Sequence, residues 1–291
     1  ETPKDLLATA FWAYDAKLMS DMAGAIGRSD DQQTYLDLFN VVKGAFQKKY
    51  IAADGHVFGE TQTGYVLGLA FDLMPDNLRE RAAQLLVDDI KKRNGHLSTG
   101  FIGVKYLNPV LSDNGYLDLA YQLLFNKTFP SWGYPILNGA TTIWERWDGW
   151  TKEKGFQDAG MNSFNHYSMG SVGEWLYRYV GGIDLHPDAV AYKKMIIHPR
   201  PNRGLTFANA EYLSIYGLIK SGWKINARRI NLEMVIPANT TAIVYVPTSD
   251  PKSVRESGST KASEVRFLRE EAGCAVFEIG SGTYKFEAAW K

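Results

Sequence analysis

Residues 138–150 concentrate side chains suited to acid–base and stacking chemistry in one short stretch. Glu145 lies between Trp144 and Arg146, and Trp147, Asp148 and Trp150 follow closely. An arginine beside a carboxylate favours its ionised form, and an ionised carboxylate can take a proton from an attacking water. Indole walls on either side suit the flat apolar face of a sugar ring. The chemistry suggested is deprotonation of a water next to an anomeric carbon. The same residues also fit an aromatic core with a surface Glu145–Arg146 pair, and composition leaves both readings open.

A second polar stretch, residues 161–170, reads as a loop leading into a helix. Asn165 and His166 can donate hydrogen bonds to substrate hydroxyls, although a lone histidine equally fits a structural role. Glu174 and Trp175 beyond it read as packing. No second histidine stands at metal-ligand spacing, so neither a metal site nor a cofactor is expected. Glu60, within residues 58–65, reads either as a second acidic group in a cleft or as a cap at a helix start. Cys274 is the single cysteine, which excludes an internal disulfide and a cysteine-based metal site. The Gly280-Ser281-Gly282 run lacks the lysine and following helix of a phosphate loop, and no Ser–His–Asp nucleophile arrangement is present.

Two kinds of element must position these residues. Up to about residue 182, apolar residues recur at three- and four-residue spacing, the period of helices with one buried face. The first helix is predicted to bury Leu7, Ala10, Phe11, Tyr14, Leu18, Met22 and Ala25. A second carries Tyr35, Leu38, Phe39, Val42 and Phe46, a third Tyr65, Val66, Leu69, Ala70 and Leu73, and a fourth Leu78, Ala82, Leu85, Leu86 and Ile90. Shorter helices are expected near 112–125 and 170–181. Helical hairpins with long loops at one end suit an array or barrel. Beyond residue 182 the texture changes to strands at 195–197, 212–216, 230–236 and 242–246. Residues 275–279 and 284–287 read as a closing hairpin around a Gly-Ser-Gly turn, and 249–263 as loop. The division predicted is 1–183, helical, and 184–291, an antiparallel β-sandwich.

Composition closes off other classes. Lys and Arg together number 32, as do Asp and Glu, and no basic block stands out, so no nucleic-acid partner is expected. No apolar run approaches the ~20 residues that span a bilayer. With 8 Trp, 16 Tyr and 14 Phe, the chain is rich in stacking surfaces.

Taken in order, the segments resemble the bacterial α-L-rhamnosidases of glycoside hydrolase family 78. The pieces that match are Gly59-Glu60-Thr61-Gln62-Thr63, Thr99-Gly100-Phe101-Ile102-Gly103 and Gly139-Ala140-Thr141-Thr142-Ile143-Trp144-Glu145-Arg146-Trp147. Ser163-Phe164-Asn165-His166-Tyr167 and, in the strand region, Pro237-Ala238-Asn239-Thr240-Thr241-Ala242 continue the match. The resemblance implies an (α/α)6 barrel followed by a β-sandwich, and an inverting mechanism with Glu145 as general base. It also implies that His166 contacts the sugar while Trp144 and Trp147 form part of an aromatic wall. The family's general acid, a Glu in an Asp-Arg-Asp-Glu-Arg type motif, has no counterpart here, and only about half the hairpins of a full barrel are present. The expectation is a C-terminal part of a longer enzyme that needs its N-terminal part, acts on a rhamnose-containing glycan or glycoside, and is inactive alone. Such a piece would expose apolar helix faces. The compartment is left open, with a periplasmic or secreted location in a bacterium favoured over a cytoplasmic one. Two alternatives stand beside this one: another (α/α)6 hydrolase or phosphorylase, and a non-catalytic carbohydrate-binding piece.

Overall fold

In the computed structural model, residues 1–202, 204–258 and 265–290 are described. They form two compact units, Glu1–Val172 and Gly173–Lys291. The first unit holds three helical hairpins: α1 (Lys4–Ala25) with α2 (Ser29–Tyr50), α3 (Gln62–Ala70) with α4 (Arg79–Lys92), and α5 (Phe101–Asp113) with α6 (Leu117–Phe125). α3 packs against both α1 and α5, so the first helix of each hairpin lines one side. A short α7 (Gly133–Leu137) opens a long loop containing a two-strand ribbon, β1 (Trp150–Thr151) and β2 (Gly155–Phe156). A 3-10 turn, Ser168–Ser171, then leads into α8 (Val172–Trp175) and packs against α5.

The helices follow from where apolar surface can be buried. α2 buries Phe39, Val42 and Phe46 at three- and four-residue spacing, as the sequence predicts; Tyr50 joins them, while Tyr35 and Leu38 are half-buried. α3 is enclosed on all sides, with Gln62 through Leu69 buried, the signature of an inner helix. Its close approach to α5 depends on Gly103, where a β-carbon would sit 2.7 Å from Thr63 Oγ1.

α1 departs from the sequence reading. Its buried stripe is Leu6, Ala10, Ala13, Ala16, Ser20 and Ala23, whereas Leu18, Met22 and Ala25 are exposed. Small side chains allow close helix contact, so the alanines rather than the larger residues took the packed face. Phe11 and Tyr14 are half-buried against Phe71, which in turn meets Tyr106 of α5.

The second unit is a β-sandwich. One sheet orders β10 (Val265–Glu271), β11 (Cys274–Ile279), β8 (Thr241–Pro247), β4 (Lys194–Ile197) and β3 (Ile183–Leu185). The other orders β5 (Phe207–Ser214), β6 (Gly217–Asn226), β7 (Arg229–Ile236), β12 (Gly282–Ala289) and β9 (Arg255–Glu256). All pairings are antiparallel except β4 with β8, which is parallel. Inward residues alternate along β6 and β7 and place Ile219, Trp223, Leu232 and Met234 in the core. The Trp223 indole N–H donates to the Val180 carbonyl at 2.7 Å.

The expected closing hairpin does not form. β11 pairs with β10 and β8, while β12 pairs with β7 and β9, so residues 280–281 cross between sheets. Both strands are apolar on their inner faces, and Phe277 meets Phe286 across the core at 5.3 Å. Burying those rings between the sheets is incompatible with pairing the strands edge to edge. The 249–263 loop contains a 3-10 turn, Pro251–Ser253, and the short β9; its residues 259–263 lie outside the described residues.

Candidate active site

The two motif segments, separated in sequence, are laced together by backbone hydrogen bonds. Glu145 N–H donates to the Ser163 carbonyl at 2.9 Å, and His166 N–H donates to the Ile143 carbonyl at 2.8 Å. Thr142 Oγ1 donates to the Phe164 carbonyl. Asn162 Nδ2 donates to the Gly149 carbonyl at 2.9 Å, which ties the intervening loop back on itself.

This lacing sets the acid–base geometry. The Ser163 N–H donates to Glu145 Oε2 at 2.8 Å, a charge-assisted bond that fixes the carboxylate. The other oxygen, Oε1, faces His166 Nε2 at 4.0 Å, with the two side chains 16% and 24% exposed. His166 Nδ1 lies 3.3 Å from the Ser168 N–H and accepts from it. Glu145 thus presents its second oxygen, Oε1, beside an imidazole, in a place shielded from most solvent.

Glu145 opens on a cavity of about 580 Å³, whose wall includes Thr99, Phe101, Phe129, Trp147, Asp148 and Met161, a size within the range of small-molecule sites. The wall is braced through a chain of contacts from the helices. Gln62, buried at the start of α3, donates to Asp89 Oδ2 at 2.9 Å and accepts from the Ser98 N–H at 2.6 Å. That holds the loop before α5, and the adjacent Thr99 carbonyl accepts from the Trp147 indole N–H at 2.7 Å. Trp147 also meets Trp132 edge-on at 5.4 Å, and the Trp132 indole N–H donates to the Met169 carbonyl at 2.8 Å.

Several expectations change in detail. Adjacency in sequence assigns Arg146 to holding Glu145 ionised; instead its guanidinium forms a bidentate pair with Asp148 at 2.9 and 3.1 Å. Neighbouring side chains in this stretch point apart, and the Ser163 backbone takes the anchoring role. Trp147 lines the cavity, whereas Trp144 is buried and packs edge-on against Phe164 at 5.0 Å. Asn165 is exposed beside His166. Glu60 is not brought to the Glu145 cavity: it adopts φ +46° before α3 and lines a separate polar cavity with His56, Arg81, Asp88 and Asp89. Nor is it the helix cap, because Thr61 Oγ1 accepts the Gly64 N–H. Phe101, 6.0 Å from the His166 ring, and Tyr167, stacked on it at 5.2 Å, stand out in the sequence only as members of their segments. Their aromatic character within those segments is the available signal.

Elsewhere the chemistry is muted. Cys274 Sγ lies 3.9 Å from His198 Nε2 in the β-sandwich. Burial pushes the thiol up to about 11 and, with Arg200 adding to it, the imidazole down to about 3, so both are neutral, the reverse of an activated thiolate. Among the described residues no cluster of three His, Cys, Asp or Glu could hold a metal ion, and no helix is long and apolar enough to cross a membrane.

Helical hairpins followed by a β-sandwich, with a carboxylate anchored in an aromatic cavity, define a glycoside hydrolase architecture. The bacterial α-L-rhamnosidase six-hairpin glycosidase domain matches residues 1–180, and the bacterial α-L-rhamnosidase C-terminal domain matches 182–261. The chain belongs to the bacterial α-L-rhamnosidase family. It is 47% identical to an α-L-rhamnosidase of Streptomyces avermitilis over 98% of this chain and 27% of that protein. It is 40% identical to one of Formosa agariphila over 100% of this chain and 31% of that protein. The structure of the Streptomyces avermitilis enzyme complexed with L-rhamnose superposes with a TM-score of 0.92, covering 99% of this chain and 27% of that one. The native Aspergillus terreus α-L-rhamnosidase, 29% identical, gives 0.85 over 99% and 31%. The chain therefore spans under a third of the length of these relatives.

Proposed function

We propose that this chain supplies the general-base side of an inverting α-L-rhamnosidase acting on terminal α-L-rhamnose of a glycan or glycoside. The observation that carries the reading is the Glu145 carboxylate, fixed at Oε2 by the Ser163 N–H and open at Oε1. Oε1 takes a proton from a water as the water oxygen bonds to the anomeric carbon, from the face opposite the leaving oxygen. His166 and Asn165 donate to sugar hydroxyls, Trp147 stacks on the ring, and Trp144 backs the segment from within.

Inversion needs a second carboxyl group to protonate the leaving oxygen. The other carboxylate lining the cavity, Asp148, is paired with Arg146. The family resemblance places the acid in an N-terminal part of a longer polypeptide, and on that reading the chain by itself is inactive. This accords with its covering 27% of the Streptomyces avermitilis relative.

The test is Glu145→Gln in the longer enzyme, assayed on an aryl α-L-rhamnoside. A positioned base contributes roughly 10²–10⁴-fold, so turnover should fall by that much while L-rhamnose still binds. Near-normal turnover would remove Glu145 from the base role.

A further inference from the structure

His166 sits among four contacts, one of which, the Ser168 backbone N–H, determines which of its nitrogens carries a proton. The Ser168 backbone N–H lies 3.3 Å from Nδ1, and a backbone N–H only donates, so Nδ1 must be the acceptor. In the neutral ring the proton is then on Nε2. Nε2 is the nitrogen that faces Glu145 Oε1 at 4.0 Å. Two aromatic neighbours contact the ring: Tyr167 stacks on it with planes 15° apart, and Phe101, at the start of α5, meets it at 42°. Tyr167 is 84% exposed. A tyrosine so poorly buried contributes little to the core, and its ring contact is with the imidazole.

We propose that Tyr167 and Phe101 are positioning residues that hold His166 as an Nε2–H donor aimed at the space beside Glu145. The proposal rests on the rhamnosidase reading for its catalytic meaning. Its physical content stands apart from that reading: a fixed tautomer and a fixed ring plane. Held this way, His166 can give a hydrogen bond to a substrate oxygen that approaches both it and Glu145 from one side, and cannot compete with Glu145 for the proton of the attacking water. A ring free to flip would present a basic nitrogen there for part of the time and lose that division of roles.

Two measurements decide it. The first uses this chain with ¹⁵N-labelled histidine, above the pH at which its imidazoles titrate. His166 should show a single tautomer, with Nε2 protonated, and Tyr167→Ala combined with Phe101→Ala should shift both nitrogens towards a mixture. An Nδ1–H tautomer in the parent chain, or no change in the double variant, overturns the proposal. The second uses the longer enzyme on an aryl α-L-rhamnoside. An aromatic contact is worth up to about a ten-fold effect, so Tyr167→Ala should raise KM roughly three- to ten-fold, and Tyr167→Phe should restore it. Equal losses in Ala and Phe variants would point to the hydroxyl and overturn the ring-stacking role. If the longer enzyme fails to cleave rhamnosides while the tautomer behaves as described, the rhamnosidase reading falls and the positioning of His166 stands. If it cleaves them while the tautomer ignores both ring substitutions, the positioning role falls and the rhamnosidase reading stands.

Discussion

Glu145 and Ser163 are joined reciprocally: the Glu145 N–H donates to the Ser163 carbonyl at 2.9 Å, and the Ser163 N–H donates to the Glu145 side chain at 2.8 Å. The second bond uses a backbone donor, so the identity of the side chain at 163 matters little to it and the presence of an N–H matters greatly. In the longer enzyme, Ser163→Pro should lower kcat/KM by about 10- to 100-fold, since a hydrogen bond to a charged group is worth roughly 1.5–3 kcal/mol. Ser163→Ala keeps the donor and should stay within about three-fold of the parent. Adding Ser163→Pro to Glu145→Gln separates anchoring from general loop damage, because an effect through Glu145 should largely vanish in that background. Equal losses for Pro and Ala would sink the anchoring role.

Two glycines in the helical unit should respond in opposite directions. At Gly103, a β-carbon would meet three Thr63 atoms between 2.7 and 3.2 Å. Gly103→Ala should therefore destabilise by about 1–3 kcal/mol through overpacking between α3 and α5. Gly44, in the interior of α2, has no atom within 4 Å of the same position. Gly44→Ala should stabilise by roughly 0.5–1 kcal/mol through helix propensity. Urea midpoints measured side by side check both signs, and a destabilising Gly44→Ala would contradict the open face.

The sequence was most legible where one local pattern decided the outcome. The spacing of Phe39, Val42 and Phe46 is enough to place α2's buried face, and the carboxylate among tryptophans marks the loop that the structure laces to His166. It was least legible where a partner distant in sequence decided. α1 offers both alanine and large apolar stripes, and only the packing against its neighbours selects the alanines. Arg146 stands next to Glu145 in sequence, yet side-chain direction gives it to Asp148. Strands β11 and β12 are separated by two residues, but each has a longer-range partner whose pairing, with the Phe277–Phe286 contact, draws them into different sheets. A backbone donor such as Ser163 N–H leaves no trace in residue type at all.

His198 makes the β-sandwich sensitive to acid. The ring stacks on Tyr245 at 4.2 Å, and burial, with Arg200, lowers its pKa from 6.5 to about 3. Between those values the unfolded chain binds a proton at His198 that the native chain does not. This contribution to stability is therefore intact above pH 6.5 and lost as pH falls towards 3. At pH 4.5, two units below the unfolded value, it amounts to roughly 2–3 kcal/mol. His198→Phe keeps a ring against Tyr245 and removes the titration. Denaturation curves at pH 7 and 4.5 should show a smaller acid loss in the variant, by about that amount. Parallel losses in the two proteins would mean that His198 is not the group responsible.

The α1 surface yields the last test, and it bears on the proposal that the chain works within a longer polypeptide. Trp12, Met19, Met22 and Ile26 are all exposed and recur at spacings that put them on one side of the helix. Large apolar side chains gathered on one helix face favour association, and burying even one Met is worth roughly 1.5–3 kcal/mol. The chain should therefore self-associate in sedimentation velocity at tens of micromolar, and Met19→Glu with Met22→Lys should weaken that association by ten-fold or more. In the longer enzyme, an N-terminal part that covers this face of α1 would make the same pair lower thermal stability instead. The contrast carries the argument. A surface evolved to face solvent would tolerate both charges in both settings, whereas a face meant for a neighbouring helix gains solubility in one and loses stability in the other. A monomeric chain together with an unperturbed longer enzyme would show that α1 needs no cover.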